Sequence, residues 1–169
     1  MNCKPFLAAL LAPVFVLAII GPNNQALARE NVPKFKDYPV TEIYKGVTAP
    51  LILTRDGLRF KTRLHRAAEK QKPNFAGRYI LTTWGCGAEC VMGAVIDAKA
   101  GRISWWNFTV CCWGSDADEK FNPIGFRLDS NLLVFSCLRN EKEGDRGAHF
   151  YRFENGRFIY IRSILTPKE

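Results

Sequence analysis

From Gly77 onward the chain alternates at the period of strands and is cut by short turns, and that pattern restricts the fold more than any other feature. Arg78–Trp84 and Val91–Asp97 read as strands one and two. After the turn Ala98-Lys99-Ala100-Gly101, Arg102–Val110 reads as the third. Phe126–Leu128 and Leu132–Leu138 flank Asp129-Ser130-Asn131. His149–Phe153 and Arg157–Ile164 flank Glu154-Asn155-Gly156, where Asn-Gly readily takes positive φ. Strands that follow one another in hairpin order pair antiparallel. Ile43–Leu53, broken by Gly46 and Pro50, has room for one or two short strands more.

One helix precedes this run. Thr54–Gln71 opens on Thr54 or Asp56 as a cap, and Phe60, Leu64, Ala67 and Ala68 recur on one face. Arg59, Arg63, Arg66 and Lys70 make a second, basic stripe. Lys72-Pro73 ends the helix, because proline disfavours helical geometry in the residue before it. A helix followed by strands implies an α+β fold: one amphipathic helix packed on an antiparallel sheet of about five to seven strands. No repeat marks a solenoid, and the chain is short for a closed propeller.

The N-terminus carries the three-part build of a secretory signal peptide: Lys4, an uncharged run Phe6–Gly21 interrupted by Pro13, and Ala26-Leu27-Ala28 as a cleavage pattern. The run is short for a transmembrane span, and Cys3 precedes it, which is the wrong place for a lipoprotein anchor. The expected organisation is therefore a signal peptide 1–28, an arm 29–41 rich in charge and proline, and a single domain 42–169. Of the net charge of +8, the leader carries only Lys4, so a 141-residue product would carry +7. The expected place is the periplasm or outside the cell, with no further span. Cysteines there are read as disulfides first.

Beyond the leader lie Cys86, Cys90, Cys111, Cys112 and Cys137, an odd number that leaves one outside any pairing within the chain. In Trp84-Gly85-Cys86-Gly87-Ala88-Glu89-Cys90 the glycines allow a loop tight enough to join Cys86 to Cys90. Neighbouring Cys111 and Cys112 point to opposite faces of a strand. The second expected bridge therefore runs from Cys137 to Cys111 or Cys112, with Cys112 preferred. The segments Asn74-Phe75-Ala76-Gly77-Arg78-Tyr79, Trp84-Gly85-Cys86-Gly87 with Cys90, and Ile96-Asp97-Ala98 with Gly101 resemble a group of uncharacterised small exported bacterial proteins. The resemblance runs over most of 38–161. It implies export and a shared fold, and it transfers no activity.

Several chemistries fit poorly. Cys86, between glycines, has the setting of a nucleophile. Its base would be His149 or His65, at spacings that diagnose nothing, and the papain-type pattern fails because Cys86-Gly87-Ala88-Glu89-Cys90 has an extra residue and no aromatic. Redox Cys-x-x-Cys spacing is absent there, and adjacent Cys111-Cys112 suits neither half of a zinc site. Asp116, Asp118 and Glu119 lack the register of an EF-hand loop. Glu89, Asp97 and Asp129 are scattered for a glycosidase pair, and Gly85-x-Gly87 is too little for a phosphate loop. No cofactor or metal is expected.

What remains is a non-enzymatic binding module, inhibitor- or immunity-like, acting on another exported protein. Its contact residues would be Trp84, Cys86, Gly87, Glu89, Trp113 and Asp116. The alternative is a cell-envelope enzyme with Cys86 as nucleophile and His149 as base. The stripe Arg59, Arg63, Arg66 and Lys70 reads first as a solvated face, with an anionic envelope surface as its other possible partner. Export disfavours nucleic acid.

Overall fold

The structure is a computed structural model of the 169-residue chain and describes residues 32–113 and 121–166. It contains two short helices, α1 (Arg55–Arg59) and α2 (Lys61–Lys70). Eight strands follow: β1 (Tyr79–Gly87), β2 (Cys90–Asp97), β3 (Ile103–Trp105), β4 (Val110–Cys111), β5 (Ile124–Phe126), β6 (Leu132–Arg139), β7 (Gly147–Glu154) and β8 (Arg157–Leu165). All pairings are antiparallel. The order is β1-β2-β4-β6-β7-β8, with β3 also paired to β2 and β5 also paired to β6.

The expected single helix is two. Thr54 caps the first, accepting the Gly57 N–H at 3.5 Å. The helix breaks at Phe60, whose φ of −116° and ψ of 16° leave the helical region while its N–H turns to the Gly57 carbonyl. The break seats the Phe60 ring against Trp84 and Trp105, with ring centroids 5.1 and 5.4 Å away. Aromatic packing wins over helix continuity, which a glycine at position 57 already weakens by about 1 kcal/mol relative to alanine.

Alternation along β1 and β2 divides the core in two. Ile80 and Trp84 on β1, with Ala94 and Ile96 on β2, face α2, where Leu64 and Ala67 are buried against them. Leu81 and Val95 point the other way, into an aromatic interior with Phe75, Trp106, Phe135, Tyr151 and Phe153. The sheet is therefore covered by helix on one face of its first half and by its own remaining strands on the other.

The expected third strand is interrupted. β3 pairs with Ala94–Ile96 and β4 with Cys90–Val91, and between them Trp106 folds inward. Gly93 makes this possible, since a Cβ there would stand 2.6 Å from the Thr82 carbonyl and 3.0 Å from the Trp106 ring. Strand five lies earlier than Phe126–Leu128, at Ile124–Phe126. Residues 43–53 form no strand. Their N–H groups instead meet loop carbonyls: Tyr44 to Gly77, Ala49 to Ala98 and Ile52 to Gly101. The arm residues from Val32 hold a 3₁₀ turn at Phe35–Asp37 and a bridge from Pro39 to Ser130. At the β7–β8 turn both Asn155 (φ 50°) and Gly156 (φ 76°) are left-handed, the type I′ geometry that Asn-Gly favours.

Candidate functional site

The cysteines on β1, β2 and β4 converge on one end of the sheet. The β1–β2 hairpin projects Gly85, Cys86, Gly87, Ala88 and Glu89 into solvent, and a disulfide joins Cys86 to Cys90 with Cα atoms 5.1 Å apart. On the neighbouring strand a second disulfide joins the adjacent residues Cys111 and Cys112. Cys90 and Cys111 are directly paired, so the two bonds sit side by side. The Cys112 N–H donates to the Glu89 carbonyl at 3.0 Å, and the Arg146 guanidinium donates to the Cys112 carbonyl at 2.9 Å.

This pairing corrects the expected bridge between Cys112 and Cys137. Opposite orientation of neighbouring side chains holds only while the backbone is extended. β4 ends at Cys111, and Cys112 is left-handed (φ 64°), which swings its side chain back beside that of Cys111. Cys137 lies on β6, 2% exposed with φ 86°, outside both disulfides.

Trp84 also departs from its expected place among the contact residues. It is only 8% exposed, packed against Phe60 and edge-on to Trp105, with the Arg63 guanidinium 5.9 Å from its ring centroid. Indole area is too large to leave in water beside an apolar helix face. Trp84 thus anchors the root of the hairpin and leaves Cys86, Gly87 and Glu89 as its outward residues. Trp113, half-buried, follows the second disulfide directly. Asp116 lies outside the described residues, as do Asp118, Glu119 and the proposed leader.

The structure does not prepare a Cys86–His149 dyad. Cys86 carries no thiol, and His149 is 1% exposed with both ring nitrogens engaged. Its Nε2 faces the carbonyls of Asp145 (2.9 Å) and Cys137 (3.2 Å), so Nε2 carries the proton. Nδ1 then accepts from the Ser163 hydroxyl at 2.6 Å, and Ser163 in turn accepts from Tyr160. Beside it Arg139 pairs with Asp145 at 3.0 Å and donates to Tyr151. Burial works against the Arg139 charge, but the Tyr151 hydroxyl and the Asp145 carboxylate outweigh it, and its pKa is raised. These groups knit β6, β7 and β8 together under the cysteines. The second candidate base, His65, sits half-buried on α2.

Arg59 on α1 and Arg63, Arg66 and Lys70 on α2 are all exposed, and Arg63 flanks the buried face closely enough to lie over the Trp84 ring. Among the described residues no three His, Cys, Asp or Glu side chains form a metal-holding group, and no helix is long and apolar enough to cross a membrane.

The Asn74–Tyr79 segment turns out to build a corner. Asn74 Oδ1 accepts the Leu81 N–H at 2.8 Å, and its Nδ2 donates to the Leu81 carbonyl at 3.1 Å, so one amide stands in for a missing strand on the open edge of β1. Phe75 is fully buried. Gly77 (φ 77°) lies so close to the Glu42 carbonyl that a Cβ would fall 2.2 Å from its oxygen. Arg78 pairs with Asp97 at 2.9 Å and borders a cleft of roughly 330 Å³ between the arm and the β7–β8 turn. That cleft was not legible in the sequence, because its walls come from five separate stretches of the chain. The chain matches no family model, no curated protein and no solved structure.

Proposed function

We propose that this chain is an exported binding module that acts outside the cytoplasm and presents the Cys86–Cys90 hairpin tip to another protein. One observation carries the reading: a solvent-exposed tip is closed by a disulfide and rooted in the core through Trp84. A tip held in one shape before contact loses little conformational entropy on binding, which is how inhibitor loops gain affinity. The second disulfide and the Cys112–Glu89 hydrogen bond brace it from the neighbouring strand. Trp113 would supply an aromatic contact at the margin. An inhibitor- or immunity-like role, blocking a partner protein, is the concrete form. The leader pattern at 1–28 and the paired cysteines support export, and the resemblance to small exported bacterial proteins points the same way.

The test is site-specific photocrosslinking in the native host, with a photoreactive residue at Ala88 and a control at exposed Lys142. The reading expects a discrete adduct from Ala88, absent from Lys142 and lost in Cys86→Ser/Cys90→Ser protein that still folds. Equal crosslinking from both positions, or an adduct indifferent to loss of the disulfide, would overturn it.

A further inference from the structure

The two disulfides share an inner and an outer end. Cys90 and Cys111 are buried, whereas Cys86 is exposed and Cys112 half-buried. Because Cys90 and Cys111 are directly opposite on antiparallel β2 and β4, their side chains leave the same face of the sheet. Opposite residues of this kind have Cβ atoms about 4.5–5.5 Å apart, and a disulfide needs about 3.5–4.5 Å, so a small shift joins them. The Arg146 guanidinium donates to the Cys112 carbonyl at 2.9 Å, which sets a cation on the backbone of the second disulfide, and a nearby cation favours a thiolate.

We propose that these four cysteines form a thiol–disulfide exchange site that accepts a dithiol reductant at Cys112 and delivers a thiol at Cys86. The reductant's thiolate attacks Cys112 Sγ. The Cys111–Cys112 bond breaks, Cys111 leaves as thiolate, and a mixed disulfide forms at Cys112. The second thiolate of the reductant closes its own disulfide and releases Cys112, which takes a proton. The Cys111 thiolate then attacks Cys90 Sγ. The Cys90–Cys111 bond forms, the Cys86–Cys90 bond breaks, and Cys86 leaves with the electron pair and takes a proton. In sum the dithiol loses two electrons and two protons to the protein, which exchanges two disulfides for one disulfide and two thiols. The step goes beyond binding by the closed tip: it opens that tip and arms it with a nucleophile.

The test treats the full chain with one equivalent of dithiothreitol at pH 8, quenches with N-ethylmaleimide and maps peptides without reduction, the Cys3 peptide being followed separately. Expected are maleimide on Cys86 and Cys112 and a Cys90–Cys111 crosslinked peptide. In Cys112→Ser protein, Cys111 is already a thiol, so the same crosslink and a labelled Cys86 are expected with no reductant at all. In Cys111→Ser protein, Cys86 labelling at the same dose should fall at least tenfold. Labelling confined to Cys111 and Cys112 would overturn the proposal. So would joint labelling of Cys86 and Cys90 without the crosslink, or a Cys112→Ser protein that keeps Cys86–Cys90 or bonds Cys111 to Cys137. The unsubstituted protein decides the matter even where a variant fails to fold, and none of these readouts involves a binding partner.

Discussion

Replacing Asn74 by alanine removes both hydrogen bonds that close the free edge of β1. Leu81 pairs with Val95 on one side, and its own N–H and carbonyl turn away from β2 toward the Asn74 amide. Leu81 is buried and Asn74 half-buried, so water reaches the vacated groups poorly. Two hydrogen bonds at about 1 kcal/mol each set the central value, and incomplete rehydration pushes it upward, giving about 2–3 kcal/mol. At roughly 2.1 cal/mol/K of unfolding entropy per residue over ~130 residues, a loss of 2 kcal/mol lowers Tm by about 7 °C. Urea denaturation of parent and variant, read by tryptophan fluorescence, measures the same loss as a shift in midpoint at constant slope. Asn74→Asp is the sharper companion. It keeps the acceptor for the Leu81 N–H and sets a carboxylate oxygen against the Leu81 carbonyl, so it should be no more stable than Asn74→Ala at neutral pH. An Asn74→Ala variant within about 0.5 kcal/mol of the parent, the range of an ordinary surface substitution, would refute the edge-closing role.

Other consequences follow from burial and charge. Leu64→Ala empties the centre of the α2–sheet contact and should cost about 2–5 kcal/mol by chemical denaturation. Gly77→Ala meets both a left-handed backbone and the Glu42 carbonyl. It should destabilise the fold by more than the ~1–2 kcal/mol of the left-handed conformation alone, seen as a lowered melt or as loss of soluble protein. On the basic stripe, Arg63→Ala should cost about 0.5–1 kcal/mol through its contact with Trp84. Arg66→Ala on the same exposed side should stay within about 0.5 kcal/mol, and parallel melts of the two variants separate these outcomes.

The local features were legible because local chemistry decides them. Thr54 caps its helix, Asn155-Gly156 turns its hairpin, and Leu64 and Ala67 face inward as their spacing demands. Glycines around Cys86 marked the tip that the first disulfide closes. Legibility stopped where a distant partner decides. Phe60 breaks the helix to reach Trp84 and Trp105, and Trp106 splits a strand by folding onto Gly93. Trp84 read as a contact residue because nothing in its own strand shows that the apolar face of the helix covers it. Cysteine has no special preference for left-handed φ, so the turn at Cys112 that joins it to Cys111 leaves no mark in composition or spacing. The amide of Asn74 was legible only as part of the Asn74–Tyr79 segment; its partner, Leu81, lies seven residues on.

The arrangement of the cysteines underlies both the rigid tip and the exchange path, and a non-reducing peptide map of acid-quenched protein tests it most directly. Expected are Cys86–Cys90 and Cys111–Cys112 as the two linked pairs, with Cys137 alkylated only after denaturation. A map showing Cys137 bonded to Cys111 or Cys112, or Cys86 alkylated in the native protein before any reductant is added, would contradict it.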